Sequence, residues 1–185
     1  MYRQNLFFVF SLLCISIVAQ DNKKKTCIQN LTINGTNLIA LYRKQLLVLG
    51  ITNFNNQSAR TQANSFFTLQ TLKFNDLYRE LERGGIRDLV VRIILVNEAN
   101  AAHQLSGNYY DQIRVFQDNS KDRLIKKLRN HGQAIDTFVF GRCGYLGLTQ
   151  EHPNSNLSDG KNYRELLQHI KTTVKNKRRC QRLCS

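Results

Sequence analysis

Between Cys27 and Cys143 this chain of 185 residues has no cysteine, although it has five in all. Its only proline is Pro153, and it carries 13 acidic residues against 27 basic ones. There is no glycine-rich phosphate loop; Gly84-Gly85 reads as a helix stop. The four histidines, His103, His131, His152 and His169, show no metal-ligand spacing. Cys180 and Cys184 have three residues between them, with no second pair and no histidine cluster beside them, which argues against zinc. No metal and no cofactor are expected. No internal repeat, low-complexity tract or linker divides the chain, and no segment after the first twenty residues is apolar for long enough to span a membrane.

What is present begins with the N-terminus. Arg3 is the only charge in the first five residues, and Leu6 to Ala19 follows without an ionisable group. Fourteen residues fall short of the roughly 20 that a span needs. A charged start, a short apolar run and a small residue at its end make 1–19 a signal peptide, with Ala19 as the last residue removed and Ile17 at the minus-three position. Cleavage leaves about 165 residues, enough for one domain with a real core. The net charge moves only from +14 to +13, because Arg3 is the sole charge lost. Secretion and an extracellular location are the expectation.

Cys14 leaves with the signal. Cys27, Cys143, Cys180 and Cys184 remain, an even number in an oxidising compartment, so two disulfides are the default. Three connectivities are possible. A Cys180–Cys184 bridge would close an awkward loop of one helical turn, which favours a distant partner for each. Four acceptor triplets for N-glycosylation begin at Asn30, Asn34, Asn56 and Asn156.

Residues 20–45 are polar and mixed, an arm anchored at Cys27, and 46–185 form the domain. Leu46 to Ile51 is a short apolar run that reads as a buried strand. Apolar residues at helical spacing predict a helix over 64–83. Leu89 to Val96 is apolar almost throughout and so belongs in the middle of its sheet. The stretch 98–112 reads as irregular. A third short strand over 113–116 and an amphipathic helix over 122–130 come next. Strands over 135–140 and 145–149 flank the turn Gly141-Arg142-Cys143-Gly144, and a helix over 162–175 closes the domain. A parallel β-α-β unit, then a helix, an antiparallel hairpin and a last helix make the thioredoxin layout. The fold class is α/β, with a mixed sheet of about four strands flanked by helices.

Phe138-Val139-Phe140-Gly141-Arg142-Cys143-Gly144-Tyr145-Leu146, then a helix and Cys180-Gln181-Arg182-Leu183-Cys184, resembles the N-terminal domain of selenoprotein P. Lys73-Phe74-Asn75-Asp76-Leu77 and the strand ending in Val96-Asn97 resemble that family's first helix and second strand, and Cys27 stands near its first cysteine. The resemblance covers most of 27–184. It implies a thioredoxin-like fold, secretion and descent from a redox domain. In that family a selenocysteine-x-x-cysteine motif sits where the first strand runs into the first helix. A helix N-terminus there lowers the pKa of the attacking group, and the second sulfur resolves the mixed intermediate.

Here the motif is missing. Alignment on the helix puts Ser65-Phe66-Phe67-Thr68 over the reactive tetrapeptide; alignment on the strand puts Asn56-Gln57-Ser58-Ala59 there. Neither contains a redox pair, and Ser65 has no base within its tetrapeptide to activate it. The cis-proline that thioredoxin oxidoreductases place before the strand facing the site is also absent, the equivalent spot being Ile135-Asp136-Thr137. With Ser185 as the last residue, that family's selenocysteine-rich tail is not expected here.

A candidate for binding is the cationic strip of Lys171, Lys175, Lys177, Arg178, Arg179 and Arg182, with a second run at Arg123, Lys126, Lys127 and Arg129. Sulfated polysaccharides suit such a strip, and a solvated helix end explains it equally. The first reading is a secreted, redox-inactive domain that binds a glycosaminoglycan or an extracellular protein, with nucleic acid not expected. The alternative is an extracellular thiol-disulfide or peroxide oxidoreductase using Cys143 or the Cys180/Cys184 pair.

Overall fold

The computed structural model describes residues 27–28, 30–52, 66–99, 109–110, 113–119, 128, 136–151 and 153–176. Much of the expected polar arm is folded. Thr32–Ile33 (β1) and Thr36–Asn37 (β2) pair antiparallel across Asn34-Gly35. Both turn residues have positive φ, 48° and 75°, the condition for a two-residue primed turn. Asn37 then caps the short helix Leu38–Leu41 (α1), its Oδ1 accepting the N–H groups of Ile39 and Ala40. Leu31, Ile33, Leu38 and Tyr42 are buried against the sheet. Scattered among polar neighbours, these apolar positions have no helical or strand period of their own, so tertiary contact organises them.

Leu46–Thr52 (β3) is followed by the helix Phe66–Arg83 (α2) and Val91–Asn97 (β4), which lies parallel to β3 in full register, Leu46 opposite Val91. Gly84-Gly85 does stop α2: Gly85 takes φ 77°, its N–H reaches the carbonyl of Glu82, and the Ile86 N–H reaches Leu81. That bond pattern is the Schellman cap. Tyr109–Tyr110 (β5) pairs antiparallel with Ile113–Gln117 (β6), and β6 lies parallel to β4. Asp136–Phe140 (β7) pairs antiparallel with β3 and with Leu146–Gln150 (β8), before the helix Gly160–Lys175 (α3).

The sheet order is β5-β6-β4-β3-β7-β8. It has six strands where about four are expected: the five segments read as strands all join it, and so does β5, only two residues long, in the stretch read as irregular. A parallel β3-α2-β4 unit joined edge to edge with the antiparallel β7-β8 hairpin and followed by α3 is thioredoxin-like. Side chains alternate between the faces. Leu46, Val48, Ile93, Leu95 and Val139 meet Phe74, Leu77 and Leu81 of α2 and Leu166 and Ile170 of α3. Leu47, Leu49, Ile51, Ile94, Phe138 and Phe140 meet the N-terminal hairpin, α1 and Leu128. With both faces covered, β3 and β4 need no polar alternation. Leu128 is helical, in agreement with the helix read there; the rest of 122–130 lies outside the described residues. No described helix is long and apolar enough to cross a membrane.

Candidate functional site

Two poles of the sheet carry the residues that bear on chemistry. The upper pole lies where β3 runs toward α2. Ser65, Asn56 and Ala59 lie outside the described residues, and Thr68 is placed only by its backbone, in the first turn of α2. What can be built there comes from the neighbouring strands. Asp136 stands opposite Ile51, and Thr137 opposite Gly50. Both are buried, and the Thr137 hydroxyl has no hydrogen-bond partner among the described residues. Gly50 is required by packing: a Cβ there would lie 2.7 Å from Leu95 Cδ2 and 2.9 Å from Phe74 Cζ. The ring of Phe74 thus lies over the end of β3.

At the same pole, β4 and β6 end in a knot of amides. Asn97 Nδ2 donates to Gln117 Oε1 at 2.7 Å. Gln117 Nε2 points at three main-chain carbonyls, those of Glu98 and Asp118 at 2.9 Å each and that of Asn97 at 3.3 Å. Asn34, from the tip of the N-terminal hairpin, joins it by donating to the Gln117 carbonyl at 3.1 Å and accepting from Asn119. These groups satisfy one another, so the knot reads as scaffold.

The lower pole holds the cysteines. Seven residues of β3 separate it from the upper one, roughly 20 Å at about 3.3 Å per residue. The turn between β7 and β8 is closed by the Gly141 N–H to Tyr145 O and the Gly144 N–H to Gly141 O, both 2.8 Å. Cys27 bridges to Tyr145 in antiparallel fashion, and the Ile28 N–H reaches Gly144 O at 2.9 Å. Both glycines are obligatory. A Cβ on Gly141 would overlap the Tyr145 ring, while Gly144 has φ 78° and lies against the Ile28 carbonyl. Gly141-Arg142-Cys143-Gly144 is therefore a clamp on the N-terminal segment. Cys27 and Cys143 are each disulfide-bonded. Cys180 and Cys184 lie outside the described residues.

The cationic strip is only partly visible. Lys171 does not stand free: its Nζ lies 3.5 Å from Glu80 Oε1 on α2. Tyr163 donates to the other oxygen of Glu80 at 2.9 Å, and burial, then Glu80, raises the Tyr163 pKa. Lys175 is exposed in the last turn of α3. Lys177, Arg178, Arg179 and Arg182 lie outside the described residues, as do Arg123, Lys126, Lys127 and Arg129. His169, half-buried on α3, has an Nε2 without a partner among the described residues, and burial lowers its pKa, opposed by Glu165. His103, His131 and His152 are outside the described residues. Among the described residues no cluster suits a metal ion. An open cleft of about 540 Å³ between Tyr78, Glu82, Ile86, Arg87, Asp88 and Leu89 lies where α2 turns into β4. Asn30 is exposed and Asn156 half-buried; Asn56 is outside the described residues.

No family model matches the chain, and no curated protein does. Solved structures do. One is a putative thioredoxin from Neisseria meningitidis, 12% identical, with 85% of this chain and 93% of that one covered at a TM-score of 0.49. A second is peroxiredoxin Q from Xanthomonas campestris, 14% identical, covering 75% and 85% at 0.48. A third is a putative thiol:disulfide interchange protein DsbE from Chlorobium tepidum, 11% identical, covering 74% and 84% at 0.46.

Proposed function

We propose that this chain is a secreted thioredoxin-like domain that works by binding an extracellular partner and has no thiol chemistry of its own. One observation carries the reading. The strand-to-helix junction, where this fold places an attacking sulfur, has no cysteine within reach in sequence, and the two described cysteines are disulfide-bonded at the opposite pole. A half-cystine in a turn clamped by two glycines lacks the free, helix-activated thiolate that exchange requires. The cleavable N-terminus, the acceptor triplets and the resemblance to the selenoprotein P N-terminal domain support the extracellular setting. Within that family the chain would be a form that has lost the selenocysteine motif.

As partner we propose a sulfated polysaccharide, held by Lys175 and the basic residues from Lys177 to Arg182. Lys171 contributes least, because Glu80 already neutralises it. Elution from immobilised heparin at higher salt than from a plain cation exchanger supports this; equal or earlier elution removes it, leaving a protein partner.

The second reading, thiol-disulfide or peroxide chemistry, stays closer to the names of the fold neighbours. Its specific support is the Cys180-x3-Cys184 pair, where two sulfurs stand near each other in sequence. Insulin reduction and peroxide turnover by the purified chain decide between the two. No turnover above a mutant lacking both cysteines is expected. Turnover lost on Cys180→Ser or Cys184→Ser establishes the second reading instead.

A further inference from the structure

The triplets starting at Asn30 and Asn34 lie four residues apart on one small hairpin, and both asparagines are exposed. Their side chains differ in employment. Asn30 Oδ1 accepts the hydroxyl of Thr32, and its amide nitrogen has no partner among the described residues. Asn34 is engaged at both ends of its carboxamide. Its Nδ2 donates to the carbonyl of Gln117 at 3.1 Å, and its Oδ1 accepts from Asn119 Nδ2.

One partner of Asn34, Gln117, ends β6, and the other, Asn119, lies two residues beyond it; they are 83 and 85 positions away in the chain. A planar amide that accepts from and donates to one short segment, here 117–119, does so with the N–H on the same edge as its oxygen. An N-linked sugar takes the place of that hydrogen, because a secondary amide keeps its substituent trans to the preceding carbon. The target carbonyl is itself fixed, since Gln117 is tied into the amide knot by three main-chain acceptors. The left-handed φ of 48° at Asn34 is held by the hairpin turn. A sugar on Asn34 and a docked hairpin therefore exclude one another.

We propose that Asn34 carries no glycan: its carboxamide is a strut that docks the N-terminal hairpin onto the end of β6, and Asn30 is the glycosylated member of the pair. This rests on passage through the secretory route, as proposed above. The full chain with its own N-terminus is expressed in a secreting eukaryotic line beside three variants. Thr36→Val cancels the second triplet but keeps the Asn34 amide, Thr32→Val cancels the first, and Asn34→Gln displaces the amide by one methylene. Expected are an unchanged glycan number for Thr36→Val, one glycan fewer for Thr32→Val, and for Asn34→Gln an unchanged number with Tm lowered by about 2–4 °C. A glycan lost in Thr36→Val, or a wild-type Tm in Asn34→Gln, overturns the strut. An unchanged glycan number in Thr32→Val overturns the assignment to Asn30. Appearance of the chain in the medium reads secretion separately, so its failure is not mistaken for either.

Discussion

Thr137 brings a hydroxyl into the core beside Gly50, and nothing among the described residues accepts its proton. A buried, unsatisfied hydroxyl costs about 1–3 kcal/mol, and valine has the same shape. Thr137→Val should therefore stabilise the fold by about 1 kcal/mol in denaturant melts; a loss of stability would show that the hydroxyl has a partner. His169 is a second residue whose environment sets its behaviour. Burial holds its pKa below 6.5, so the folded state prefers the neutral ring. Stability from this group is complete above pH 6.5 and falls as the pH drops through 6.5 toward the lowered folded value. Thermal melts at pH 7 and pH 5 should show a smaller loss in His169→Gln than in wild type, and an equal loss would mean that the ring is solvated. Neither residue is legible in sequence. Thr137 reads as a strand threonine and His169 as a surface histidine until the sheet and α3 are brought together.

The elements are legible in proportion to their period. Phe74, Leu77 and Leu81 announce α2 by spacing, and Gly84-Gly85 marks its end correctly. Asn34-Gly35 is a strong hairpin signal, yet the same residues open an acceptor triplet, and that reading hides β1 and β2. Asp159 caps α3, which starts at Gly160, two residues before the start expected at Asn162, and accepts the Lys161 N–H at 2.7 Å; Asn162 itself is buried and bonds the carbonyls of Pro153 and Asn156. The caps supply a prediction at this scale. Gly85 has φ 77°, so Gly85→Ala should cost about 1 kcal/mol in equilibrium unfolding, with the loss confined to stability. A neutral result would mean that α2 does not need its Schellman cap.

For the whole molecule, the sequence already excludes a cysteine pair at the strand-to-helix junction. What it leaves open is where the remaining sulfurs lie relative to that junction. The fold answers for Cys27 and Cys143, which sit at the far pole in a turn that two glycines make possible. Nor does the sequence show that Lys171 reaches across to Glu80, because that pair exists only once α2 and α3 lie on one face. The central claim is a thioredoxin-like scaffold with its thiol chemistry closed off. Alkylation of the native, unreduced chain collected from the medium of a secreting line, read by intact mass, decides it. No added alkyl group is expected, and four after full reduction. A single cysteine that reacts without reduction, and faster than a free thiol at neutral pH, would contradict it.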